Sequence, residues 1–110
     1  MSCIFCQIAK KELSSSLVYE TDQVVAFKDI SPIAPVHILV IPKDHYDHLL
    51  LAPADVLMNM HVAIKEIAKD FDLEARGFRV LTNIGVEGGQ SVPHLHFHIV
   101  GGRSMTWPPG

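Results

Sequence analysis

The sequence predicts an α+β domain built on a mainly antiparallel sheet of about five strands. Three observations carry that expectation. Short β-prone runs lie on both sides of the chain's middle, one central stretch repeats its apolar residues at helical spacing, and three histidines alternate with apolar residues near the C-terminus. No internal repeat, low-complexity tract or linker breaks the pattern, so residues 1–110 read as one domain.

Leu17-Val18-Tyr19-Glu20 and Val24-Val25-Ala26-Phe27 are β-prone runs separated by Thr21-Asp22-Gln23, the pattern of a hairpin. Val36-His37-Ile38-Leu39-Val40-Ile41 is almost continuously apolar, as a central strand covered on both faces requires. Pro32, Pro35 and Pro42 bracket it and interrupt any helix there. From Pro53 to Phe71 the period changes. Leu57, Met60, Ile64, Ile67, Ala68 and Phe71 recur every three or four residues, which predicts an amphipathic helix with Pro53 in its first turn. His61 falls on the solvent side of that helix and is given no function. Phe78-Arg79-Val80-Leu81-Thr82-Asn83 reads as the fourth strand, and the histidine run as the last. In that last strand His94, His96 and His98 share one face, while Leu95, Phe97 and Ile99 fill the other against the core.

Hydrophobic residues make up 48% of the 110 and charged residues 19%, which describes a globular chain long enough to bury a core without staples. The net charge of −3 advertises no surface for long nucleic acid. A small nucleotide remains compatible with it, because one or two phosphates need only local donors. No segment approaches the length of a membrane span. The opening Met1-Ser2-Cys3-Ile4-Phe5-Cys6 lacks the basic region and long apolar run of a signal peptide. Two cysteines without an export signal suggest a reducing compartment, most simply the cytoplasm.

Imidazole is the side chain most easily poised between acid and base near neutral pH, so three on one face make a reactive surface. A histidine-rich edge strand would alternate in the same way. The difference lies in what precedes the row, the loop Gly85-Val86-Glu87-Gly88-Gly89-Gln90-Ser91. Glycines let a backbone approach a ligand and present consecutive N–H groups, a concavity suited to an anion. Ser91 adds a hydroxyl nearby. Gly88-Gly89 alone would equally suit a plain strand connection; its place directly before the histidines favours the anion site. Cys3-Ile4-Phe5-Cys6 has a spacing compatible with a redox pair, half of a zinc site, or two buried thiols.

The run His94-Leu95-His96-Phe97-His98-Ile99-Val100 resembles the histidine triad of the HIT superfamily. Phe27-Lys28-Asp29-Ile30-Ser31-Pro32, Ala34 through Lys43, Gly88-Gly89-Gln90-Ser91 and the closing Gly101 through Gly110 are similar to its histidine triad nucleotide-binding branch. The resemblance covers nearly the whole chain. It implies a HIT-like fold with one long and one or two short helices, and a homodimer whose sheets join into one. It implies hydrolysis of purine nucleoside 5′-phosphoramidates, with no cofactor for catalysis. His96 is then the nucleophile at the α-phosphorus, forming a nucleotidyl-histidine intermediate. The backbone carbonyl of His94 fixes its tautomer, and His98 with the backbone N–H groups near Gly89 and Ser91 stabilises phosphoryl charge. Ser91 or His98 protonates the leaving amine, and His37 supports the site. Asp29 accepts from the ribose hydroxyls, Phe5, Ile8, Phe27 and Ile30 form the slot for the purine, and Asn83 and Gln90 belong to the phosphate end. The same resemblance implies structural zinc on Cys3, Cys6, His45 and His94.

Two other chemistries fit part of the pattern. Same-face histidines can share a metal for hydrolysis or oxygenation, although no carboxylate beside the triad completes a facial set. Within the superfamily the alternatives are dinucleoside polyphosphate hydrolysis and a non-catalytic nucleotide-binding or scaffolding dimer; Gln90-Ser91 and Trp107-Pro108-Pro109-Gly110 favour the phosphoramidase branch. Pro93 departs from that branch, where an aromatic residue is common.

Overall fold

The computed structural model describes residues 3–110; the Met1-Ser2 portion of the N-terminal run read for a signal peptide lies outside them. In chain order the elements are α1 (Ile4–Ala9), β1 (Leu17–Glu20), β2 (Val24–Lys28), β3 (Val36–Pro42), a 3₁₀ turn (Leu49–Leu51), α2 (Ala54–Asp70), β4 (Arg79–Leu81) and β5 (Phe97–Gly101). The five strands form one sheet in the order β1-β2-β3-β5-β4, every pair antiparallel. The expected α+β architecture, with one long helix between the third and fourth strands, is the one found.

Strand β3 lies in the middle of the sheet because both of its faces are apolar. Ile38 and Val40 pack with Val24, Ala26 and Ile99 against Met60, Ala63 and Ile67 of α2. Leu39 and Ile41 pack with Val25 and Phe27 on the opposite side, where α1 adds Phe5 and Ile8. Burying each such side chain contributes roughly 1.5–3 kcal/mol. The short helix α1 is therefore fixed by its two buried residues and by its cap, in which Cys3 Sγ accepts from Cys6 N–H at 3.5 Å. Asp55 in the first turn of α2 and Lys69 in the last match the helix dipole. No helix among the described residues is long and apolar enough to cross a membrane.

Three boundaries differ from expectation. Pro53 is the N-cap of α2, just outside the first turn, and Phe71 is its C-cap. The fourth strand shrinks to Arg79–Leu81, because beyond it Thr82 Oγ1, not a backbone N–H, donates to the His96 carbonyl at 2.7 Å. The histidine run is a ladder strand only from Phe97 onward. Pro93 brings no N–H, His94 N–H turns back to the Val92 carbonyl, and Leu95 N–H bonds the Tyr46 carbonyl at 2.7 Å instead of the sheet. The alternation survives that departure: Leu95 and Ile99 are in the α2-side core, with Phe97 packed against it.

Candidate active site

A cavity of about 370 Å³ opens between α1, the end of β2 and the start of β5. Its walls bring together Phe5, Ile8, Phe27, Asp29, Ile30, Ser91, His96 and His98, residues drawn from four separate stretches of sequence. Phe5, Ile8 and Phe27 are buried, whereas Ile30 is almost fully exposed at the rim. The apolar wall and the imidazoles meet at Phe5, whose ring stands edge-on to His96 at 5.1 Å.

The hydrogen bonds around the triad determine where each neutral imidazole keeps its proton. His96 Nδ1 lies 2.7 Å from the His94 carbonyl, which can only accept, so Nδ1 carries the proton and Nε2 keeps its lone pair. Ile33 N–H donates to His37 Nδ1 at 3.2 Å, which puts the His37 proton on Nε2. That nitrogen lies 2.9 Å from His98 Nδ1, so neutral His98 accepts there and carries its own proton on Nε2. Asp29 Oδ2 is 3.5 Å from the same His37 nitrogen, while its Oδ1 accepts from Ser31 N–H at 2.7 Å. His37 does not line this cavity; it stands behind His98. Burial lowers the pKa of His96 and lowers that of His98 to about 4, with the neighbouring His96 and His37 acting in the same direction on His98. Both rings are neutral at physiological pH.

The loop before the triad is built close to its own backbone. A Cβ on Gly88 would collide with the carbonyl of Ile84, and Gly89 has φ of +73°, so both positions require glycine. Asn83 Nδ2 donates to the Gly88 carbonyl at 2.7 Å, which places Asn83 beneath the loop. Gln90 does not line the cavity; its amide bonds the Asp47 and Val92 carbonyls and accepts from Gly85 N–H.

Next to this cavity, His94 faces the other way. Its Nε2 donates to the Pro42 carbonyl at 2.9 Å, leaving Nδ1 as a lone pair 3.4 Å from both Cys3 Sγ and Cys6 Sγ. His45 repeats the arrangement: Nε2 donates to Asp47 Oδ1 at 2.9 Å and Nδ1 lies 3.2 Å from Cys6 Sγ. Four ligand atoms therefore lie within 4.8 Å of one another. Two thiols plus two imidazoles, each held by a hydrogen bond at its other nitrogen, suit a closed tetrahedral metal site. Burial and the Cys3 thiol beside it push the Cys6 thiol above its ordinary pKa.

Several contributors carry no signal in the sequence. Leu13, Ser14, Ser15 and Val92 also line the cavity, and Lys28 stands at its wall. Asp47 could have been singled out from its place two residues after His45; the Pro42 and Tyr46 carbonyls could not, because any residue type supplies one.

Residues 10–105 match the HIT domain family. A 14 kDa zinc-binding protein of Brassica juncea is 47% identical over 112 residues, covering 97% of this chain and 98% of that one. An adenylylsulfatase of Arabidopsis thaliana is 46% identical over 112 residues, covering 97% of this chain and 76% of that protein. The crystal structure of a HIT family hydrolase from Legionella pneumophila superposes with a TM-score of 0.95 at 41% identity, over 99% of this chain and 100% of that one. With the alternating histidines, the glycine loop and the fold all in agreement, the chain belongs to the HIT domain family.

Proposed function

We propose that this protein hydrolyses purine nucleoside 5′-phosphoramidates, such as adenosine 5′-monophosphoramidate, to a nucleoside monophosphate and an amine. The observation that carries the proposal is the His96–His94 hydrogen bond of 2.7 Å, which leaves the attacking Nε2 unprotonated in a residue lining the cavity. Nε2 attacks the α-phosphorus, the P–N bond breaks, and the nucleotidyl group rests on His96. Water then displaces the imidazole and releases the monophosphate. His98 Nε2–H supports the phosphoryl charge and supplies the proton that the departing amine needs, with Ser91 at the same end of the cavity. Ser91 offers its backbone N–H to the phosphoryl oxygens, whereas the Gly89 N–H expected there is spent on the Val86 carbonyl at 3.0 Å; Asn83 and Gln90 stand behind that loop. Asp29 receives the ribose hydroxyls, and Phe5, Ile8, Phe27 and Ile30 sandwich the base. An apolar slot of this kind separates adenine from guanine only weakly.

Cys3, Cys6, His45 and His94 hold a zinc ion in this reading. When bound, it supplies a structural cross-link between α1, the loop after β3 and the approach to β5. No catalytic step needs it. The working unit is a homodimer: β4 is an edge strand with Val80 half-exposed, and Leu51, Met58, Val62 and Trp107 present further apolar surface. We place it in the cytoplasm, where the two thiols stay reduced.

The adenylylsulfatase relative favours a second substrate of the same nucleophile, a mixed anhydride of AMP and sulfate. Side-by-side kinetics on adenosine 5′-monophosphoramidate, adenylyl sulfate and a diadenosine polyphosphate, with mass spectrometry of trapped adenylyl-His96, test the reading. The phosphoramidate should be turned over with the highest kcat/KM. A clear preference for the diadenosine polyphosphate would replace phosphoramidase by dinucleotide hydrolase.

A further inference from the structure

We propose that Gln90 is a positioning residue that couples the Cys3/Cys6/His45/His94 cluster to the phosphate end of the cavity, so that metal and nucleotide bind each other's protein form more tightly. The proposal rests on the zinc and nucleotide readings above. It starts from where the Gln90 amide is spent. Nε2 donates to the Asp47 carbonyl at 2.6 Å and to the Val92 carbonyl at 3.1 Å, and Oε1 accepts from Gly85 N–H at 3.0 Å. One side chain thus ties both ends of the glycine loop, residues 85 and 92, to residue 47. Asp47 is itself the residue whose carboxylate holds His45 at 2.9 Å, so its backbone faces the loop while its side chain orients a ligand of the cluster.

The chain of contacts is continuous: cluster, His45, Asp47, Gln90, loop. Without metal, His45 meets the cluster side through a thiol–imidazole contact of 3.2 Å to Cys6 and an edge-on ring contact with His94 at 4.8 Å, in a segment that is largely solvent-exposed. Coordination to a metal replaces the weak thiol contact with a bond and fixes Asp47. The Gln90 brace then transmits the ordering to Gly85 and Val92, and hence to the N–H groups between them. A loop already ordered loses less freedom when a phosphate binds, which is coupling without any shared atom. Thermodynamic linkage requires the effect to be reciprocal: whatever factor zinc adds to nucleotide affinity, the nucleotide adds to zinc affinity.

The test uses AMP and zinc as probes on the full chain. AMP affinity is titrated in zinc-loaded and zinc-free protein, and zinc affinity is measured against a competing chelator with and without saturating AMP. The two ratios should agree and be roughly tenfold. In Gln90→Leu both ratios should collapse towards one while zinc stays bound, whatever the variant does to AMP affinity in the zinc-free chain. A direct contact between Gln90 and the ligand predicts something else, equal weakening with and without zinc, and that result overturns the proposal. So do ratios near one in the parent chain. Failure of AMP or zinc to bind at all would instead remove the reading beneath it. If the zinc-free chain does not hold its fold, amide hydrogen exchange decides the matter in the loaded protein: residues 85–91 should exchange at least several-fold faster in Gln90→Leu, and unchanged exchange overturns the brace.

Discussion

A histidine can attack phosphorus only while the attacking nitrogen keeps its lone pair. At His96 the His94 carbonyl fixes the tautomer, and burial, outweighing the opposing pull of that hydrogen bond and of Asp29, favours the neutral ring. His96→Ala should therefore lose activity by orders of magnitude yet still bind AMP, since Asp29 and the apolar wall remain; turnover assays and calorimetry check both halves. His98→Ala should reduce phosphoramidate turnover by roughly 10²–10⁴. It should hurt adenylyl sulfate less, because sulfate departs without needing a proton. His98 also makes stability depend on pH. Burial, with His96 and His37 beside it and Asp29 opposing, lowers its pKa from 6.5 to about 4 in the folded chain. As pH falls below 6.5 the unfolded chain takes up this proton first. The stability that neutral His98 allows is complete above pH 6.5 and is lost as pH drops towards about 4. Denaturant titrations across that window should show a shallower decline for His98→Asn than for the parent chain. A parallel decline would mean that His98 is not the group responsible. The three histidines were legible from their spacing together with the glycine loop that precedes them. Of the proton positions, that of His96 was implied by the family resemblance alone, and those of His37 and His98 were not legible, because they depend on the Ile33 N–H, a backbone group that any residue type would supply.

Elements whose residues face two different surroundings were the easiest to read. Strand β3 is apolar on both sides because α1 covers one and α2 the other, and that near-continuous run is visible in the sequence. The period of α2 was equally plain. What could not be read was where the last strand begins, since the carbonyls that draw residues 94–96 off the sheet come from positions distant in sequence, Pro42 at the end of β3 and Tyr46 in the loop after it. The same diversion turns the His94 ring towards Cys3 and Cys6 and joins three elements at one cluster. Protein purified without added chelator should carry about one zinc per chain, and elemental analysis of reduced protein checks this. Removing the ion, or Cys6→Ser, should lower Tm by about 8 °C or more, taking roughly 4 °C per kcal/mol for a chain of this size. Loss of chemistry should be smaller than loss of stability. An equal melting temperature with and without zinc would show that the cluster adds no cross-link.

For the whole molecule, the open question is what the C-terminal tail does once the sheet is complete. Two prolines near its end prevent it from extending a strand or helix, and an unsupported tail frays. It is nevertheless tethered: Arg79 of the edge strand β4 donates to the Thr106 carbonyl at 2.8 Å, and Arg103 donates to the Ile33 carbonyl at 3.0 Å. These bonds leave Trp107, the chain's single tryptophan, 83% exposed. An indole that size is poorly placed in water and well suited to anchor an interface. In the proposed dimer joined through β4, the family resemblance implies that the tail lies across the junction near the partner's cavity, on the side where the amine departs. Deleting residues 104–110 should therefore leave a folded dimer that binds AMP, as light scattering and calorimetry would report. It should change the ranking of phosphoramidates that differ only in the amine, with Trp107→Ala doing part of the same. Relative kcat/KM values left unaltered across several amines would assign the tail no part in substrate choice, since the cavity itself is lined wholly by residues within 4–98.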